Sequence, residues 1–129
     1  MRLFSQRGGR RTGVRAQLRS IRSPDVPDLF TWAPTGSFSV VIELVIGPEG
    51  EPGEESFALT LCTPDQLARE ASKEGITDGR HHFVVERYDF ASFERYLRRR
   101  VEACEGESWD EVAAKLARIA RSEFEDYVE

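Results

Sequence analysis

The chain has 129 residues, 40% of them hydrophobic and 10% aromatic, which is enough for one core and too few for two. Its net charge of −5 conceals an uneven split: residues 1–22 hold seven arginines and no acid, whereas the rest hold eleven bases against 23 acids, a net of −12. So acidic a body argues against nucleic acid as a ligand, because neutralising phosphates needs clustered Lys and Arg, and it suits a basic protein partner. No apolar run reaches the ~20 residues that cross a membrane.

Residues 1–13 combine Gly8-Gly9, Gly13 and four arginines without an apolar period, and read as a disordered tail ahead of a single domain at 14–129. Arg10-Arg11 is not followed by an apolar stretch, which argues against export and for the cytoplasm. Val14 is a candidate translation start, since GTG can serve as a bacterial start codon. An RNA-binding role for the Arg-rich N-terminus lacks interleaved aromatics apart from Phe4.

From Val14 to Arg22, Val14, Ala16, Leu18 and Ser20 alternate with Arg15, Gln17, Arg19 and Ile21, the pattern of a half-exposed strand. Ser23-Pro24-Asp25-Val26-Pro27-Asp28 breaks it, and a loop leads through Leu29, Phe30 and Trp32 toward Gly36. Ser37 to Gly47 places Phe38, Val40, Ile42, Leu44 and Ile46 on one strand face, and Glu55 to Cys62 places Phe57, Leu59 and Leu61 likewise. The glycines, prolines and acids between them, 47–54, form a long solvated hairpin loop. Thr63-Pro64-Asp65-Gln66 has the spacing of a capping box and opens a short helix to about Lys73, which Gly75 ends. The span His81 to Arg87 reads as the next strand. Asp89 caps a helix whose Phe90, Phe93, Leu97, Val101 and Cys104 recur at three- and four-residue steps. Ser108 and Glu111 make a second capping box, and the last helix carries Trp109, Val112, Ala113, Leu116, Ile119 or Ala120, and Phe124 along one stripe. The expected architecture is α+β: an antiparallel sheet of about four strands with two to three helices packed on one face.

Chemistry-bearing motifs are sparse. His81-His82 would point to opposite faces of a strand, a poor arrangement for one metal ion, and no nucleophile stands near in a recognisable motif; a small hydrolase or metal-dependent enzyme using these histidines with nearby carboxylates is the rival reading. Glu54-Glu55, Glu105 with Glu107, and Glu123 with Glu125-Asp126 could suggest acid–base work, but in a body with 23 acids such pairs arise by chance. The glycine-rich stretches lack the G-K-[ST] of a phosphate loop. Cys62 and Cys104 have no metal-ligand spacing and sit among apolar residues, which favours small buried hydrophobes over a disulfide. No catalytic, cofactor or metal residues are assigned. The acids make better sense as a binding face, and the candidate contact residues are Glu105, Glu107 and Asp110 at the acidic turn with Glu123, Glu125, Asp126 and Tyr127 at the chain's end. Glu107 and Asp110 also suit a helix start on dipole grounds alone.

The order of several short motifs, rather than any one of them, resembles the immunity protein 8 family of bacterial polymorphic toxin systems. In this chain they are Leu18-Arg19-Ser20-Ile21-Arg22-Ser23-Pro24-Asp25, Ile46-Gly47-Pro48, Gly53-Glu54-Glu55-Ser56-Phe57 and Cys62-Thr63-Pro64. Then follow Gly79 to Asp89, Cys104-Glu105-Gly106 with Trp109, and Glu123-Phe124-Glu125-Asp126-Tyr127. The resemblance runs from Val14 to Tyr127. It implies a cytoplasmic protein without enzyme activity or cofactor that binds a cognate secreted toxin domain stoichiometrically. A toxin that cuts RNA or DNA presents Lys and Arg around its cleft, so a nuclease is the expected target of an acidic inhibitor, although composition and spacing do not separate it from a deaminase or a peptidase.

Overall fold

The computed structural model describes residues 13–123. The Arg-rich segment 1–12, and Phe124, Glu125, Asp126 and Tyr127 at the other end, lie outside the described residues. The element order is β1 (Val14–Arg22), β2 (Ser39–Pro48), β3 (Glu55–Cys62), α1 (Pro64–Glu74), β4 (His82–Val84), α2 (Phe90–Glu102), β5 (Glu105–Gly106), α3 (Trp109–Leu116) and β6 (Arg121–Ser122).

The α+β class holds, but the sheet has six strands and is mixed rather than purely antiparallel. Its order is β4-β3-β2-β1-β5, with β6 also paired to β3. The strands β1, β2 and β3 form an antiparallel meander, while β4 runs parallel to β3 because a helix, not a hairpin, connects them. One edge of β3 is divided between two short partners: Phe57 and Ala58 pair with β6, and Thr60, Leu61 and Cys62 with β4.

The period-two pattern of the central strands translates directly into burial. Phe38, Val40, Ile42, Leu44 and Ile46, with Phe57, Leu59 and Leu61, all enter one core. Opposite them, α2 contributes Phe93, Leu97 and Val101 and α3 contributes Val112 and Leu116. Among the described residues these are the two helices that pack on the sheet; α1 buries none of its residues. Both cysteines are free and buried, and burial raises each thiol pKa.

Four local readings need correction. In β1 the pairing register slips between Leu18 and Ser20, so a bulge reverses the alternation and sets Ile21 opposite Leu44, against the core. The strand expected at His81 to Arg87 is only three residues long: His81 takes a left-handed φ of 64° just before it, and the chain bends at Glu86 and Arg87 after it. Thr63 does not cap α1 with its side chain; its hydroxyl instead takes the Phe38 N–H at 3.2 Å. The last helix stops at Leu116: the Arg118 and Ile119 N–H groups bond to the Lys115 and Leu116 carbonyls at 3.1 and 2.8 Å, a tightened final turn, and the chain re-enters the sheet as β6. Ile119 and Ala120 are buried, as their apolarity suggests, but from the turn rather than from a helix face.

The long loop 23–38 is held down by aromatic contact. Trp32, Phe38 and Tyr88 meet edge to face at 4.7–6.0 Å, and the Tyr88 hydroxyl donates to the Leu29 carbonyl. Asp25 substitutes for a strand beyond the end of β1 by accepting the Val41 N–H at 2.8 Å.

Candidate functional site: an acidic pole

One end of the sheet gathers carboxylates from three separate stretches of sequence. Arg15 pairs with Glu105 of β5, its neighbour Ala16 pairs with Pro48 of β2, and the Glu49 N–H donates to the Arg15 carbonyl at 2.8 Å. The β2–β3 loop and the β5–α3 turn therefore flank the start of β1. On the other side, Glu55 at the start of β3 accepts from Trp109 Nε1 at 3.1 Å and from the Ser122 hydroxyl at 2.7 Å. These bonds bring the α3 N-terminus and the end of β6, hence Glu123, to the same pole.

The loop carrying Glu49, Glu51 and Glu54 is fixed by one residue. The Arg19 guanidinium donates to the carbonyls of Pro48, Glu51 and Gly53 at 2.7–2.8 Å. The bulge in β1 gives this side chain its reach, and Gly47 gives it room: a Cβ there would lie 2.3 Å from the Gly53 carbonyl oxygen and 2.5 Å from Arg19 Cζ. Turning the chain in so short a space uses left-handed conformations at Gly50 and Gly53.

The β5–α3 turn is equally constrained. The Ser108 hydroxyl accepts the Glu111 N–H at 3.2 Å, and the Glu111 carboxylate returns to the Glu107 N–H at 2.7 Å, a capping box shifted outward by one residue. Gly106 makes this fold-back possible, since a Cβ would sit 2.9 Å from the Glu111 carboxyl. Lys115 Nζ donates to the Glu105 carbonyl at 2.6 Å and pins the strand end to α3.

Of the expected contact residues, Glu105, Glu107, Asp110 and Glu123 are exposed and share this pole. The fold adds Glu49, Glu51 and Glu54, also exposed, which the sequence shows as a solvated acidic loop without indicating where it folds. Glu55 and Glu111 are committed to internal hydrogen bonds. Among the described residues, Arg15 lies 3.6 Å from Glu49 and Arg19 lies 3.9 Å from Glu54, exposed pairs of small worth, and Lys115 stands on the Glu105 carbonyl.

The two histidines each face a main-chain carbonyl. His81 Nε2 lies 2.6 Å from the Ala117 carbonyl, which can only accept, so that nitrogen carries the proton; the Arg80 Nε–H, 3.2 Å from the same nitrogen, is then not a hydrogen bond to it. His82 Nδ1 lies 2.9 Å from the Arg80 carbonyl. Each ring is thus tied to main chain, and His81 latches the β4 approach to the end of α3. Among the described residues no group of three or more His, Cys, Asp or Glu is disposed to hold a metal ion, and no helix is long and apolar enough to cross a membrane.

No curated protein and no solved structure matches the chain. A family model does: immunity protein 8 matches residues 16–127, a span that contains the whole sheet from Ala16 onward, both packed helices and the acidic pole, and the chain belongs to that family.

Proposed function

We propose that this chain neutralises a cognate toxin domain by binding it, one to one, through the acidic pole, and that it carries out no chemistry itself. Membership of an immunity protein family supports binding to a toxin. The observation that carries the surface assignment is the convergence of Glu49, Glu51 and Glu54 with Glu105, Glu107, Asp110 and Glu123, on loops clamped by Arg19 and by the Ser108–Glu111 cap. A preorganised acidic surface loses little entropy on docking and attracts a cationic partner over a distance. A nuclease domain, with Lys and Arg around its cleft, is the partner chemistry that fits, and covering that cleft in the producing cell's cytoplasm would block substrate access.

Co-expression with the toxin-like domain encoded beside this gene tests the reading. Growth rescue and co-elution on size exclusion are expected, and both should be lost in the Glu51→Lys, Glu107→Lys, Asp110→Lys triple variant. The control variant Glu70→Lys, Glu74→Lys, on the unpacked helix α1, should retain both. Equal rescue by the two variants would remove the acidic pole from the interface.

A further inference from the structure

A second surface, of opposite charge, lies toward the far end of β3 from Glu55. Among the described residues β4 is the outermost strand on this side. The bonds Thr60 N–H to His81 O and Val85 N–H to Cys62 O, both 2.9 Å, turn those groups toward β3, so alternation leaves the N–H and C=O of Val84 on the outer edge. Beside that edge a groove of about 380 Å³ runs between β4 and α2. Its apolar lining is preformed, since Phe83 meets Phe93 and Tyr96 edge to face at 5.9 and 5.8 Å. Two large side chains there face water, Val84 at 46% and Tyr96 at 44% exposure. The rim is cationic: Arg87 and Arg100 line it, and the Arg99 and Arg100 guanidinium groups stand 5.3 and 5.9 Å from the Tyr96 ring. Among the described residues lining the groove the one carboxylate, Asp89, is engaged by the Ser92 hydroxyl at 2.9 Å.

We propose that this groove docks an extended acidic segment of a protein partner, which adds as a strand to the Val84 edge, sets apolar side chains beside Tyr96 and Phe93, and places carboxylates on Arg87 and Arg100. This goes beyond the toxin-binding reading, because the surface is distinct from the acidic pole and selects the opposite charge. Charge decides the occupant. Two copies of this chain joined edge to edge at β4 would oppose Arg87 and Arg100 to their own kind. Single-stranded nucleic acid would leave the main-chain edge unused.

The test titrates isotope-labelled full-length protein with three probes: a short peptide alternating Val and Glu, its Val–Lys counterpart, and oligothymidylate. The expected result is saturable amide shifts centred on Val84 and Tyr96 with the Val–Glu peptide, at an affinity at least about tenfold above the Val–Lys peptide. Arg87→Glu with Arg100→Glu should abolish that preference. Val84→Pro, which removes the outward donor at an edge position that tolerates proline, should weaken binding by about tenfold. Glu51→Lys with Glu107→Lys should leave peptide binding unchanged, separating this surface from the acidic pole. No shifts, equal response to both peptides, or shifts with oligothymidylate alone would overturn the proposal.

Discussion

Arg19 and Gly47 show how much one residue can decide. Replacing Gly47 by Ala places a methyl group against the Gly53 carbonyl and the Arg19 guanidinium, an overpacked contact expected to cost about 1–3 kcal/mol. Arg19→Ala removes the donors to three carbonyls and should cost about 1–2 kcal/mol, with the loop amides from Glu49 to Glu54 losing exchange protection. Urea midpoints give the first quantity and hydrogen exchange the second. His81 offers a sharper comparison. Both His81→Ala and His81→Gly lose the ring's bond to the Ala117 carbonyl, but only alanine keeps a Cβ at φ 64°. His81→Gly should therefore be more stable than His81→Ala by about 1 kcal/mol, and equal midpoints would mean the left-handed turn is not held in solution.

At the scale of elements, α3 depends on its cap. Ser108→Ala leaves the Glu111 N–H without its acceptor and should cost about 1 kcal/mol by thermal or urea unfolding. The aromatic contact that holds loop 23–38 should show in the alkaline limb of stability. Burial, with Asp28 and Asp89 adding repulsion, pushes the Tyr88 hydroxyl up from 10.0 to about 12. The folded pKa is the higher one, so this contribution is complete below pH 10 and is lost as pH rises toward 12, while the unfolded chain ionises first. Tyr88→Phe should flatten that window and cost about 1 kcal/mol at neutral pH through the lost bond to Leu29; an unchanged alkaline slope would contradict the burial.

The central strands and α2 were legible in the sequence because each buries an unbroken period, of two for Phe38 to Ile46 and of three to four for Phe93, Leu97 and Val101. The cap at Ser108 was legible as well. What escaped depends on tertiary context: the bulge that turns Ile21 inward, the parallel docking of a three-residue β4, and the short β6 formed where Arg118 to Ala120 prolong a helix-like composition.

For the whole molecule, the composition announces an acidic body but not its polarity. The charge pattern becomes informative only once strand register sets Glu105 beside Arg15 and Pro48 beside Ala16, drawing loops more than fifty residues apart onto one pole. Of the arginines between residues 80 and 100, Arg87 and Arg100 line the β4–α2 groove. On the proposed reading, toxin binding at the acidic pole should respond strongly to salt and to charge reversal there, and weakly to substitutions at the groove. The most direct test is the association rate with the cognate toxin domain, measured by stopped flow at low and high ionic strength for the unaltered protein and for the Glu51→Lys, Glu107→Lys, Asp110→Lys variant. The account predicts a rate that falls by about tenfold or more with added salt, and a variant that is slow at both ionic strengths. Salt-independent association, or a variant as fast as the unaltered protein, would contradict it.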